Sequence, residues 1–318
     1  MGPCSLPCTR MGLEDRVAVW GMTEMEERVV ARASSVTACC PGHLSGYFRP
    51  VSGSDYRTTG SIGAGIVIEE GVVVRATPST VPGIVARRIG EDGTVLEELH
   101  ESPPLAYVVR RLHAGVQLES VCSLPIGAGF GLSAAALMAA VAAINELFGL
   151  GMTPGACAEL AHEAEIVHRT GLGDVAACQG GGRDYRLGPG IAAEIHRFSD
   201  LDAPIFAVTF GPLPSPLVLG SASALERIGA AYPEEYPGTP AGFFRLSRLF
   251  AEKSGLLTGE LNDLLRVCEE HRVMASMTML GNGVFAMGEG AEDLLSSYGT
   301  VLELHAAREG VRITEVRP

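Results

Sequence analysis

The spacing of apolar residues changes several times along this chain, and each change marks an element. Positions 116–124 carry a strand-like alternation, with Val116, Leu118 and Val121 apolar, and Pro125 ends it. Ala134–Leu150 is apolar almost throughout and rich in Ala, but it is short and broken by Asn145-Glu146, so it predicts a buried helix and not a membrane span. Thr153-Pro154 predicts the start of the next helix, with Thr as the cap and Pro in the first turn; that helix runs over 154–169 and stops at Gly171. Upstream, the apolar run Ile62–Val74 contains Gly63 and Gly65 and reads as strands around a tight turn, and 103–114 reads as a helix after Pro103-Pro104. Downstream, the stretch SDLDAPI at 199–205 marks a junction. An apolar strand, Ile205–Phe210, comes next, then a Pro-rich turn, several helices and a strand pair framing Asn282-Gly283, a hairpin dipeptide. The pattern divides the chain into an N-terminal extension (1–32) without clear periodicity, a first domain (33–200) and a second (201–318).

Composition narrows the class. With 318 residues, 47% hydrophobic and 19% charged, the chain can build a substantial core. Its net charge of −13 excludes a nucleic-acid or anionic-membrane partner, because there is no basic stripe to neutralise phosphates. Residues 1–16 lack the apolar centre of a signal peptide and turn acidic early, so a cytoplasmic location with free thiols is expected for the 8 Cys. Cys4/Cys8 and Cys39-Cys40 have no second pair at zinc spacing. Met11, Met22 and Met25 each offer another start, which leaves the extension open as native or not, and disordered or not. A homodimer is also left open.

The chemistry concentrates in Leu124–Leu137, LPIGAGFGLSAAAL. A strand ends at Pro125, Gly127, Gly129 and Gly131 follow at every second position, and Ser133 opens an Ala-rich helix. Glycines let the backbone turn its N–H groups toward a ligand, and a helix start adds unpaired donors, so the segment reads as a phosphate cradle. It is not a Walker loop, since no Lys precedes Ser133, and its glycine spacing is not that of a dinucleotide fingerprint.

A second segment, HEAEIVHRTGLGDVAACQGGG at 162–182, places Glu163 and Glu165 near a helix end and Asp174 on a glycine-bounded loop. Phosphoryl transfer needs a metal ligand and a group to position the attacking hydroxyl, and these carboxylates can supply both. On the residues alone, Asp174 reads equally as an N-cap for a helix starting at Val175. Pro41–Phe48, PGHLSGYF, adds His43 and Ser45 as hydrogen-bonding groups, and Arg49 and Arg57 are the nearest cations for a carboxylate. Ser276–Gly283 adds a third glycine-containing turn.

Together these segments resemble the GHMP kinases. The run Pro125-x-Gly127-Ala128-Gly129-Phe130-Gly131-x-Ser133-Ala134 is similar to their phosphate loop, with Leu132 where the family has its first serine. The resemblance implies an α+β fold of two domains, the first like the second domain of a ribosomal protein and the second ferredoxin-like. It implies an ATP-dependent kinase with Mg²⁺. Pro125, Gly127, Ala128, Gly129, Phe130, Gly131, Leu132, Ser133 and Ala134 would surround the nucleotide. Ser133 and Glu165, or Glu163 in its place, would hold the metal, and Asp174 would take the substrate proton. His43, Ser45, Ser61, Gly63 and Gly281 would line the acceptor side. PGHLSGYF, TGSIGAGI at 59–66 and TGLGDVAA look like the archaeal pantoate kinases within that family, which implies a small hydroxy acid, pantoate, phosphorylated on its primary hydroxyl in coenzyme A biosynthesis. The backbone amides of 61–65 could then form a nest for its carboxylate. A mevalonate-, phosphomevalonate- or homoserine-type kinase, or a catalytically silent binder, are the other readings.

Overall fold

A computed structural model describes residues 31–318; the N-terminal extension read from the sequence lies, except for its last two residues, outside the described residues. In chain order the elements are β1 (Ser35–Val51), β2 (Gly60–Pro78), β3 (Gly83–Ile89), β4 (Val95–Leu99), α1 (Pro103–Arg111), β5 (Val116–Cys122), α2 (Leu132–Phe148), α3 (Pro154–His168), α4 (Asp174–Ala177), β6 (Arg183–Arg186) and β7 (Ile195–Phe198). They continue with β8 (Ile205–Thr209), α5 (Ser215–Leu219), α6 (Ala222–Ala231), α7 (Pro240–Ser254), α8 (Gly259–Glu270), β9 (Met274–Met277), β10 (Gly283–Met287), α9 (Ala291–Ser296), β11 (Leu302–Leu304) and β12 (Arg312–Arg317). The α+β architecture expected from the sequence is observed.

The strands form two sheets. The first has eight strands in the order β12-β1-β2-β5-β3-β4, with β6 on β2 and β7 on β6. Its one parallel pair is β3 with β5, reached by a crossover through β4 and α1. The second sheet has four strands, β11-β8-β10-β9, all antiparallel. Residues 199–204 pass from the first sheet to the second, and β12 returns to pair with β1.

The run Ile62–Val74 is not two strands around a turn. It lies within one 19-residue strand, β2. The chain does not turn at Gly63 and Gly65 because both edges of that segment are paired, by β1 on one side and β6 on the other. The glycines serve the neighbouring strands instead. A Cβ at Gly65 would lie 2.1 Å from His43 Nε2, and one at Gly63 would lie 2.3 Å from the Tyr47 carbonyl oxygen. The amides of 61–65 therefore belong to the sheet, and the expected nest does not exist.

Helix α2 is buried nearly all round against β1 and β2, and its alanines let it approach the sheet closely. Gly131, at φ 64°, and Gly149, at φ 60°, close its two ends in the left-handed conformation. Thr153 caps α3 as expected, accepting from the Ala156 amide. The hairpin near the C-terminus is also present, but Asn282-Gly283 is not its turn. Gly283 already begins β10, and 278–282 form the loop, with Leu280 at φ 57°.

Candidate active site

The glycine spacing has a backbone cause. Gly127, Gly129 and Gly131 have φ of 77°, 86° and 64°, so each second residue is left-handed, a conformation that side chains disfavour. Alternation of this kind turns successive N–H groups toward one side, the arrangement of an anion nest. The loop is fixed by its neighbours. Phe130 is buried in the core, worth about 1.5–3 kcal/mol. Its carbonyl accepts from the His43 amide at 2.9 Å, and that of Gly127 accepts from Leu213 at 3.0 Å. Gly281 packs on the loop's outer side, where a Cβ would lie 2.1 Å from the Ala128 carbonyl oxygen.

This loop lines a cavity of about 410 Å³, within the usual range for small-molecule sites. Of the nucleotide-side residues named from the sequence, Gly127, Gly129, Phe130, Gly131, Leu132, Ser133 and Ala134 line it; Pro125 and Ala128 do not. On the acceptor side, Ser45, Ser61 and His43 line it, whereas Gly63 and Gly281 do not. Its lining includes the apolar Ala86, Leu99, Pro103 and Leu105 as well as Glu165, Thr170 and Asp174. Arg49 pairs with Glu234 and stacks on Tyr232, and Arg57 pairs with Glu159, so neither sequence candidate for a carboxylate clamp reaches the cavity.

Two residues apart on α3, the two glutamates face different ways. Glu163 accepts from the Tyr107 hydroxyl at 2.8 Å and pairs with Arg111, outside the cavity. Glu165 is fully buried against the cavity, and its Oε2 has no hydrogen-bond partner among the described residues. A Cβ at Gly171 would lie 2.5 Å from that oxygen, so the glycine makes room for it. Burial, and then the charge of Asp174, push the Glu165 carboxyl well above the usual carboxylate range; the Thr170 and Ser133 hydroxyls offset this in part.

Asp174 is the first residue of α4, not its cap, which is Gly173. Its Oδ1 lies 2.6 Å from His43 Nδ1 and accepts from the Ser45 hydroxyl at 3.2 Å. The other His43 nitrogen, Nε2, lies 2.8 Å from Asp184 Oδ1, and Arg186 donates to Asp184 Oδ2. Both ring nitrogens of His43 are therefore engaged by carboxylates, and neither is free for a substrate. Burial raises and His43 and Arg186 lower the Asp174 carboxyl, and the balance leaves it below its ordinary value. Asp184 and Arg186 were not among the sequence candidates. Their one local sign is a pair of opposite charges two residues apart on a strand, where both fall on the same face.

Burial alone would lower the His43 pKa, but the charge of Asp184 and the hydrogen bonds to both carboxylates raise it to about 9, from 6.5. The folded protein thus keeps a proton that the unfolded chain releases. This contribution is complete below pH 6.5 and is lost as pH rises through about 9. It amounts to about 3 kcal/mol at 1.36 kcal/mol per unit. Thermal melts from pH 6.5 to 9.5 should show the wild-type midpoint falling more steeply than that of His43→Gln. Equal slopes would remove His43 as the charged member of this chain.

The comparisons with known proteins agree with this geometry. Residues 96–182 match the GHMP kinases N terminal domain family. The chain is 42% identical over 278 residues to a pantoate kinase of Methanospirillum hungatei, covering 87% of this chain and 96% of that one. It is 34% identical to a pantoate kinase of Thermococcus kodakarensis, covering 82% and 92%. Among solved structures, a phosphotransferase related to the CoA biosynthesis pathway superposes with a TM-score of 0.75 at 27% identity, over 88% of this chain and 98% of that one. Among the described residues no helix is long and apolar enough to cross a membrane. The chain belongs to the GHMP kinases and groups there with the pantoate kinases.

Proposed function

We propose that this protein transfers the γ-phosphoryl group of ATP to the primary hydroxyl of (R)-pantoate, giving 4-phosphopantoate, in the cytoplasm. The observation that carries the chemistry is one cavity that joins the glycine loop, the half-buried Ser133 hydroxyl, the buried Glu165 and the Asp174 carboxylate. The two pantoate kinases that match nearly end to end carry the choice of substrate.

Each residue has a task that follows from its surroundings. The amides of 127–133 cradle phosphate oxygens, and the apolar lining residues accommodate the base. The donor set of Glu165 and Ser133 fits a hard divalent cation: a buried carboxylate oxygen without a partner among the described residues, beside a hydroxyl. Ser133 and Glu165 would hold Mg²⁺, which when bound neutralises charge on the phosphates. Asp174 orients the substrate hydroxyl for in-line attack and receives its proton. Held low by His43, it is a weak base, so it takes that proton late, as the new bond forms; positioning contributes most of the acceleration. Arg186 would be the cation for the substrate carboxylate. It is buried and does not itself line the cavity, but its Nε has no hydrogen-bond partner among the described residues and lies directly behind the lining residue Gly173, where a Cβ would lie 3.0 Å from that nitrogen.

The test is ADP release with ATP, Mg²⁺ and a panel of (R)-pantoate, mevalonate and homoserine, with the product mapped by phosphorus NMR. Pantoate should be turned over with phosphate on its primary hydroxyl. Turnover of mevalonate or homoserine with none of pantoate would overturn the assignment.

A further inference from the structure

Asp184 is fully buried and does not line the cavity, yet it binds Arg186 directly and Asp174 through His43, the two groups that the substrate would span. Its Oδ1 binds His43 Nε2 at 2.8 Å, and His43 Nδ1 binds Asp174 at 2.6 Å. Its Oδ2 accepts from Arg186. The parts sit on three adjacent strands of one sheet: His43 on β1, Gly65 on β2 and Asp184 with Arg186 on β6. Gly65 pairs directly with Asp184, and its missing side chain leaves the gap through which the His43 ring reaches across β2. Strands paired on both edges move little relative to one another, so a group held this way keeps its place better than one on a loop.

We propose that Asp184 is a specificity-determining positioning residue, which fixes the distance between the Asp174 carboxylate and the Arg186 guanidinium and so selects hydroxy acids by the number of carbons between hydroxyl and carboxylate. This rests on the reading of Asp174 and Arg186 above. Pantoate is a 4-hydroxy acid. Hydroxypivalate is one carbon shorter and mevalonate one carbon longer between the same two groups. A ruler of fixed length accepts the first and rejects the others.

The experiment compares kcat and KM for these three acids in wild type and Asp184→Asn. Wild type should prefer pantoate by at least about 100-fold, in the range a misplaced reacting group costs. Asp184→Asn should lose about 10- to 100-fold in kcat/KM for pantoate, the scale of partners one layer behind the reacting groups, with KM raised and kcat lowered together. Its preference over the shorter and longer acids should narrow at least about tenfold. A variant with a lower melting temperature but an unchanged preference would overturn the proposal. If Asp184→Asn does not fold, the cycle of His43→Asn, Arg186→Lys and their double decides. Two groups joined through Asp184 should show non-additive losses in kcat/KM, and additive losses would overturn the link. A wild-type protein inert on pantoate would overturn the underlying reading itself, which the same assay shows before any variant is made.

Discussion

Asp174→Asn is expected to lower turnover about 10³-fold while leaving the KM for ATP within about threefold. The substitution keeps the shape of the side chain. The Asn oxygen can still accept from Ser45 and His43, whose second nitrogen remains held by Asp184 at 2.8 Å. Folding should therefore survive. What is lost is the negative charge that Asp174 turns to the cavity and its capacity to take a hydroxyl proton. A loss confined to kcat separates this role from a helix-capping one, since a cap would change stability and leave kinetics alone. Steady-state rates with ATP and pantoate, together with a thermal melt, read both. Turnover within about tenfold of wild type would demote Asp174 to a structural residue of α4.

Local requirements were legible in the sequence, and cross-strand ones were not. The conformation of the glycine loop could be read because everything it needs is contiguous: Gly127, Gly129 and Gly131 each adopt a left-handed φ, and the helix they feed begins at once. The cap of α3 at Thr153 could be read for the same reason. Gly63 and Gly65 misled, because a glycine suggests a turn until the neighbouring strand is known. Gly65 is required by a histidine of β1 and pairs with an aspartate of β6, more than 100 residues away in the chain. Likewise the sequence shows Gly171 and Gly173 only as the bounds of the loop that carries Asp174. Each also vacates space for a buried polar group, Glu165 in one case and Ser61 with Arg186 in the other.

The charged interior is the part that spacing could not show. His43 is expected on the acceptor side from its place in PGHLSGYF, which resembles the family's substrate-lining motif, and from its capacity to hydrogen-bond. Its two partners come from different elements, α4 and β6, and only the folded sheet brings them to opposite sides of one ring. The resulting chain alternates in sign: Asp174, His43, Asp184, Arg186. Alternation lets His43, Asp184 and Arg186 be buried, with the half-buried Asp174 beside them, at near-zero net charge, where a buried ion alone would cost several kcal/mol. An acidic protein thus supplies two cations next to a substrate site without a basic surface.

Glu165→Gln is expected to lower kcat/KM for Mg²⁺-ATP about 10²- to 10³-fold, the scale of several kcal/mol of charge stabilisation. The unloaded protein should melt no lower than wild type. Burial and the charge of Asp174 hold the Glu165 carboxyl well above its usual range, so the unloaded site disfavours a charge there and an amide of the same shape fits it. The difference appears only when a cation must be held, because Glu165 can carry a negative charge and Gln cannot. Two readouts follow: the stabilisation of wild type by Mg²⁺-ATP in a melt should shrink in the variant, and its rate should need higher Mg²⁺. Glu163→Gln is the control. Its carboxylate is taken by Tyr107 and Arg111 outside the cavity, so the change should leave kcat and KM within about twofold and cost at most about 1 kcal/mol of stability. A variant at Glu165 with wild-type Mg²⁺ dependence, or a Glu163 variant that loses it, would reverse the assignment between the two glutamates.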